Sequence, residues 1–240
     1  MEKLEILYQD DFCVVVDKPA GLLVHRTHLA RADEFALQIL RNQLKQWVYP
    51  VHRLDRPTSG VLLFAKSSEF AQLLCQQFSE RQVRKKYLAL VRGFIEEEGC
   101  IDYPLKKENA IETQEAQTYF RCLKKIEFNI PVGRYASSRY SLVEAFPRTG
   151  RRHQIRRHFA HIFHPIIGDT THGDGKHNRM FREQLLIQGL FLNARELTFF
   201  HPHLGEEITV QAPLDLKFIK IFPELNLDMA APVLDSCEVL

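Results

Sequence analysis

PVHRLDRPTSGVLLFAKS, residues 50–67, sets a single carboxylate, Asp55, between Arg53 and Arg56, then turns through Pro57 and Gly60 into the apolar run VLLFA. That run is short, apolar at every position and bounded by Gly60 and Ser67, which is the pattern of a buried strand. Working outward, LEILYQDDFCVVVDKPAG (4–21) reads as two β-branched and aromatic runs about a polar turn, a hairpin closed by Pro19 and Gly21. From Phe35 to Trp47 the period changes, and Leu37, Leu40, Leu44 and Trp47 fall on one helical face. SSEFAQLLCQQFSE (67–80) places Phe70, Leu74 and Phe78 at steps of four behind a Ser suited to capping a helix. KKYLALVRGFI (85–95) is the next strand, with Tyr87 near its beginning.

The segment 96–125 is the most polar and is expected to form loops and short strands over the surface. RYSLVEAFPRTGRRHQIRRHFAHIFHPIIGD (139–169) resumes with a strand, a Thr149-Gly150 turn and a helix stopped by Pro165, and RELTFFHPHLGEEITVQAP (195–213) reads as a closing hairpin. Residues 1–222 are therefore expected to form one α+β catalytic domain, a mixed and largely antiparallel sheet flanked by helices and loops. Residues 223–240 form an acidic tail, with Glu224, Asp228, Asp235 and Glu238 and no Lys or Arg.

The 240 residues, 45% of them apolar, suffice for one large core. The formal charge of +2 conceals a more basic body, because the tail carries part of the negative charge. Five cysteines form no CxxC pair, so they read as buried thiols of a reducing compartment. The N-terminus lacks a signal-peptide profile and no apolar run approaches a membrane span, which makes a soluble cytoplasmic protein the expectation. Neither phosphate-loop pattern is present, Ser59 lacks the GxSxG elbow, and the histidines form no HExxH. What remains is carboxylate chemistry without metal or cofactor.

On the helix after Gly150, steps of 100° gather Ile155, Phe159, Ile162 and Phe163 on the buried side and put Arg152 and Arg156 at its margin, with His153, Arg157 and His161 pointing away. A marginal Arg needs an anionic partner, and Asp55 is available. Such a pair fixes carboxylate oxygens and favours their charged form, as a nucleophile or electrostatic catalyst requires. The same residues also fit a simple turn with a surface ion pair. Arg148, Arg151, Arg152, Arg156 and Arg157, with Arg81, Arg84, Lys85 and Lys86 ahead of Tyr87, suit an RNA footprint or a solvated face. His153, His158, His161 and His164 are read as RNA contacts or partly buried polar residues.

The block His52-Arg53-Leu54-Asp55-Arg56-Pro57-Thr58-Ser59-Gly60 resembles the HRLDxxTSG motif of the RluA-type pseudouridine synthases. It is flanked in the family's order by DKPAGLLVH (17–25), RKKYLALVRG (84–93) and TGRRHQIRRHFAHIFHPIIGD (149–169). The resemblance covers most of the chain. Arg56-Pro57, GRYASSRYSLVE (133–144) and HPIIGDTTHGDGKHNR (164–179) are similar to the C-type, tRNA-modifying branch of that family, and no S4 RNA-binding module is expected.

The resemblance implies Asp55 as the catalytic aspartate, Tyr87 as the active-site tyrosine that stacks on the base and assists proton transfer at C5, and Arg156 as the arginine paired with Asp55. It further implies Arg53 as the side chain that fills the space left by a flipped nucleotide and Leu192 as a pocket residue, with Arg152 and His52 as further substrate contacts. The implied substrate is uridine at position 65 in the T-stem region of tRNA. The alternatives are ribosomal RNA or, further off, a non-catalytic RNA-binding factor. A monomer without metal, cofactor or membrane contact is expected. Family members often read Leu-His-Ala where this chain reads Leu192-Asn193-Ala194, and the sequence gives Asn193 no role.

Overall fold

The computed structural model describes residues 3–25, 34–107 and 112–226. The elements begin with the hairpin β1 (Glu5–Gln9) and β2 (Cys13–Lys18), helix α1 (Ala36–Leu44), the short β3 (Tyr49–Pro50), β4 (Ser59–Ala65) and helix α2 (Ser68–Ser79). Next come β5 (Arg84–Arg92), β6 (Glu98–Asp102), the two-residue strands β7 (Leu105–Lys106) and β8 (Thr113–Gln114), β9 (Gln117–Phe128), β10 (Ser138–Pro147) and helix α3 (Gln154–His161). The chain continues through helix α4 (Gly175–Glu183), β11 (Leu192–His201), β12 (Glu206–Gln211), helix α5 (Leu216–Ile221) and a 3₁₀ turn (Pro223–Asn226).

Ten strands form one sheet in the order β1-β2-β4-β11-β5-β10-β9-β6, with β3 added to β4 and β12 to β11. Among the described residues, only the β4–β11 pairing in this sheet is parallel. The VLLFA run is apolar throughout because both faces of β4 are covered. Val61, Leu63 and Ala65 join Cys13 and Val15 against Phe70 and Leu74 of α2, whereas Leu62 and Phe64 join Val14 and Val16 against Ile39 and Leu40 of α1. Each large side chain of this kind contributes about 1.5–3 kcal/mol by burial. Ser67 caps α2 as expected, its Oγ accepting the Phe70 N–H at 3.1 Å.

At the mouth of β4, Gly60 has φ +111° and a Cβ there would fall 2.2 Å from the Ala194 carbonyl oxygen. Only glycine lets β4 and β11 cross at this spacing. The crossing brings the loop before β4 over the start of β11 and its neighbour β5.

Several sequence expectations are corrected. The polar middle segment contains β9, a twelve-residue strand that pairs with β10 over ten positions. Thr118 and Phe120 are buried while Arg121, Leu123, Lys124 and Lys125 face solvent, so much of the strand carries the composition of a surface loop. The covered residues of α1 are Ala36, Ile39 and Leu40, and Trp47 is 67% exposed beneath the Arg41 guanidinium. Lys45 leaves the helix in the left-handed region (φ 55°), so a helical wheel no longer describes Trp47. Phe163 is likewise 80% exposed at φ +64°, beyond the end of α3.

Of the cysteines, Cys13 is buried but Cys75 and Cys100 are exposed, and Cys237 lies outside the described residues. Most of the acidic tail also lies outside them; within them, Glu224 pairs with Lys124, and Phe218 and Phe222 lie in the main core. Among the described residues no helix is long and apolar enough to cross a membrane.

Candidate active site

The loop before β4 forms one wall of a cavity of about 480 Å³, closed by the start of β5, the β10–α3 connection and Leu192. Asp55 opens a tight turn in which its carbonyl accepts the Thr58 N–H at 3.1 Å. Behind the turn, Lys18 is wholly buried and donates from Nζ to the carbonyls of Pro19 (2.9 Å), Leu22 (2.9 Å) and Arg56 (3.3 Å). Arg56 in turn donates to the Gly21 carbonyl at 2.9 Å, so the KPAG loop and the Asp55 loop are laced together. Burial lowers the Lys18 pKa to about 7 against the opposing pull of Asp55 and Asp17.

Arg156 reaches the cavity floor from the middle of α3. Its Nη1 donates to Asp55 Oδ2 at 3.3 Å, the contact the helix geometry suggested. Its stronger partner is Asp169, which takes Nε and Nη2 at 2.7 Å each in a bidentate pair with side chains 4% and 1% exposed. Burial opposes the Arg156 charge, but Asp169 and Asp55 outweigh it and raise the pKa. Burial equally opposes ionisation of Asp169, and Arg156 with the His172 and Thr171 N–H groups reverses this, lowering its pKa. Asn178 of α4 fixes the same loop, its Oδ1 accepting the Gly168 N–H and its Nδ2 donating to the Asp169 carbonyl. Asp169 has no role in the sequence reading because it lies in the loop after α3; a lone Asp after the apolar HPIIG is the signal that points to it.

Helix α3 starts without a side-chain cap at His153, and Gln154 supplies the anchoring. Its Oε1 accepts from Thr149 Oγ1 (2.6 Å) and the Arg151 N–H (3.1 Å), while its Nε2 donates to the Gln117 carbonyl and Thr118 Oγ1. His153 adopts φ 54° and lies in the cavity wall rather than pointing away, with Nε2 3.9 Å from Asp55 Oδ2. His158 is fully buried between Thr118 and the Tyr103 carbonyl, and His161 stacks on Tyr103.

The other expected residues fall as follows. Tyr87 lines the cavity from β5, and burial, then the Asp55 charge, pushes its phenol well above the usual range, so it is protonated at neutral pH. Leu192, 3% exposed, lines the cavity from β11, the strand paired with β5. Arg53 and Arg152 are exposed at the rim. His52 lines the cavity, yet its Nε2 accepts the Leu63 N–H at 3.0 Å and its ring stacks on Phe78 at 4.8 Å, so its polar edge is committed to the fold. Burial lowers its pKa to about 3. Lys85, read in the sequence as part of a basic RNA footprint or a solvated face, lines the cavity, with its pKa lowered to about 8 by burial.

Asn193 acquires a role. Its Nδ2 donates to Ser59 Oγ at 3.0 Å, Ser59 donates to Asp215 Oδ2 at 3.0 Å, and Lys217 holds Asp215 at 2.6 Å. The first residue of β4 is thus tied to the segment entering α5. Among the described residues Asp10, Cys13 and His201 gather at metal-ligand distances, but none lines the cavity and Asp10 is occupied by Tyr8 and the Phe12 and Cys13 N–H groups.

A family model described as RNA pseudouridylate synthase matches residues 12–161. The chain is 51% identical to the tRNA pseudouridine synthase C of Vibrio cholerae over 88% of this chain and 91% of that one. It is also 51% identical to the protein of the same name in Haemophilus influenzae, over 88% and 93%. Among solved structures, Human RNA Pseudouridylate Synthase Domain Containing 4 superposes with a TM-score of 0.70 at 28% identity, covering 92% of this chain and 93% of that one.

Proposed function

This chain belongs to the RNA pseudouridylate synthase family, and we propose that it isomerises uridine to pseudouridine in tRNA, at position 65 in the T-stem region. The observation that carries the reading is the line Asp169–Arg156–Asp55, a buried bidentate ion pair whose third guanidinium contact holds one carboxylate at the floor of a cavity. The names of the relatives supply the choice of tRNA.

The reaction breaks C1′–N1, turns the uracil and joins C1′ to C5, with loss of the C5 proton. The target base must leave its helix, at a cost of a few kcal/mol. Arg53 at the rim fills the vacated space, and Arg152 with its neighbours holds phosphates, which offsets that cost. Asp55 acts at the sugar, either by attack on C1′ or by taking a proton from C2′; Arg156 fixes its orientation in both routes. Tyr87 stacks on the base as a protonated phenol and Leu192 packs against it. His52 braces the wall as a neutral ring. The enzyme so described is cytoplasmic and monomeric and takes no cofactor.

The test is site mapping. Unmodified tRNA transcripts treated with the protein, then with a carbodiimide that marks pseudouridine, are read by primer extension. A new stop at position 65 is expected; stops only in ribosomal RNA transcripts overturn the substrate.

A further inference from the structure

The isomerisation needs a base for the C5 proton, and the cavity wall holds few groups able to accept one. Tyr87, to which the resemblance gives help in proton transfer at C5, has its phenol pKa raised by burial and the Asp55 charge and so is no ready acceptor, Lys85 and the arginines are cations at neutral pH, and His52 spends its Nε2 lone pair on the Leu63 N–H. Asp55 is engaged at the sugar. His153 remains. Its Nδ1 lies 3.0 Å from His172 Nε2, and its Nε2 stands 3.9 Å from Asp55 Oδ2, too far for a hydrogen bond. With the Nδ1 proton donated to His172, one of the two tautomers the 3.0 Å contact allows, the Nε2 lone pair faces the cavity. His153 holds this position at φ 54°, a left-handed conformation that histidine adopts more readily than most side chains.

Resting on the uridine-to-pseudouridine reading, we propose that His153 is the general base that removes the C5 proton, with His172 as the group that carries it outward. In the step, the C5–H electron pair forms the C5=C6 double bond, the C6=N1 pair moves onto N1, which takes a proton from solvent, the C5 proton goes to His153 Nε2, and the Nδ1 proton moves to His172 Nε2. His172 then loses a proton to solvent. The charged groups around the dyad are Asp55 from the β4 loop, Arg152, Arg156 and Arg157 beside and within α3, and Asp169 from the loop after it. Burial, ahead of all of these, lowers both histidine pKa values and keeps the pair neutral and ready to accept.

His153→Asn tests the assignment, because Asn tolerates the left-handed backbone while lacking the ring. Tritium release from RNA labelled at uridine C5 is compared with wild type on tRNA and ribosomal RNA transcripts. The kcat of the variant should fall about 10²- to 10⁴-fold with KM within about threefold. Deuterium at C5 should slow the variant more than the wild type, and added imidazole should restore part of the rate. A kcat within about threefold of wild type overturns the proposal, as does a loss that follows a collapsed melting temperature without an isotope effect. Ring ¹⁵N shifts need no RNA: a protonated Nδ1 and bare Nε2 are expected, and a protonated Nε2 overturns the assignment. Failure of the wild type on both RNAs with the expected tautomer intact would instead refute the functional reading.

Discussion

Asp169→Asn should damage stability and catalysis through one contact. In the wild type, Asp169 Oδ2 accepts Arg156 Nε, and Oδ1 accepts Nη2 together with the Thr171 and His172 N–H groups. The Asn amide must turn its NH₂ toward either a guanidinium N–H or these backbone donors, so one interaction becomes donor against donor. Both partners are almost wholly buried, and breaking a buried pair of this kind costs about 3–5 kcal/mol. For a chain of this size that lowers the melting temperature by about 6–20 °C. Arg156 would lose one of its two bonds to residue 169, and with it the fixed orientation that presents Nη1 to Asp55 at 3.3 Å, so kcat should fall at least about 100-fold with RNA affinity little changed. The assays are thermal unfolding by circular dichroism and C5 tritium release at a temperature where both proteins are folded. The double variant Arg156→Met with Asp169→Leu separates the two effects: it should recover much of the stability and none of the activity. A melting temperature within 1 °C of wild type together with unchanged kcat for Asp169→Asn would refute the reasoning.

Two further outcomes follow from the surroundings of β4. His52 has its pKa lowered to about 3, so below about pH 6.5 the unfolded chain binds a proton the folded chain refuses, and stability should fall as pH drops from about 6.5 toward 3 with a limiting slope of about 1.4 kcal/mol per pH unit. His52→Gln, whose amide oxygen can still accept the Leu63 N–H, should flatten the urea midpoint measured at pH 7, 6 and 5; an unchanged slope would remove His52 as the cause. Asn193→Ala should cost about 1–2 kcal/mol by leaving Ser59 Oγ without a donor, and Asn193→His should lose less if the imidazole reaches the same hydroxyl; equal denaturation midpoints for all three proteins would show that the Ser59–Asp215 chain does not need residue 193.

What could be read in the sequence was local. The buried strand after Asp55, the first and last hairpins and the α2 cap follow from patterns within a dozen residues, and the structure has them. The α+β class with its largely antiparallel sheet and the membership of the RluA-type family are also as the sequence suggested. The misreadings came from carrying a periodic argument past the end of its element. Trp47, Phe163 and His153 all sit where the helical backbone has stopped, and two of them adopt positive φ, so their angle on a wheel has no meaning. β9 was hidden because much of it faces water. Lys18 acts through a contact with a loop distant in the chain, and Asp169 folds back from a loop onto the preceding helix, where no spacing rule applies; a charge adjoining an apolar run was the one local trace of each.

The central claim is that Asp55, held by Arg156, isomerises uridine in tRNA. Tritium release from tRNA labelled at uridine C5 tests it most directly, with wild type beside Asp55→Asn and with both proteins first shown to bind the RNA within a few fold of each other. Release by the wild type and none by the variant is the predicted result. Substantial release by Asp55→Asn, or binding without release by the wild type, would contradict the account.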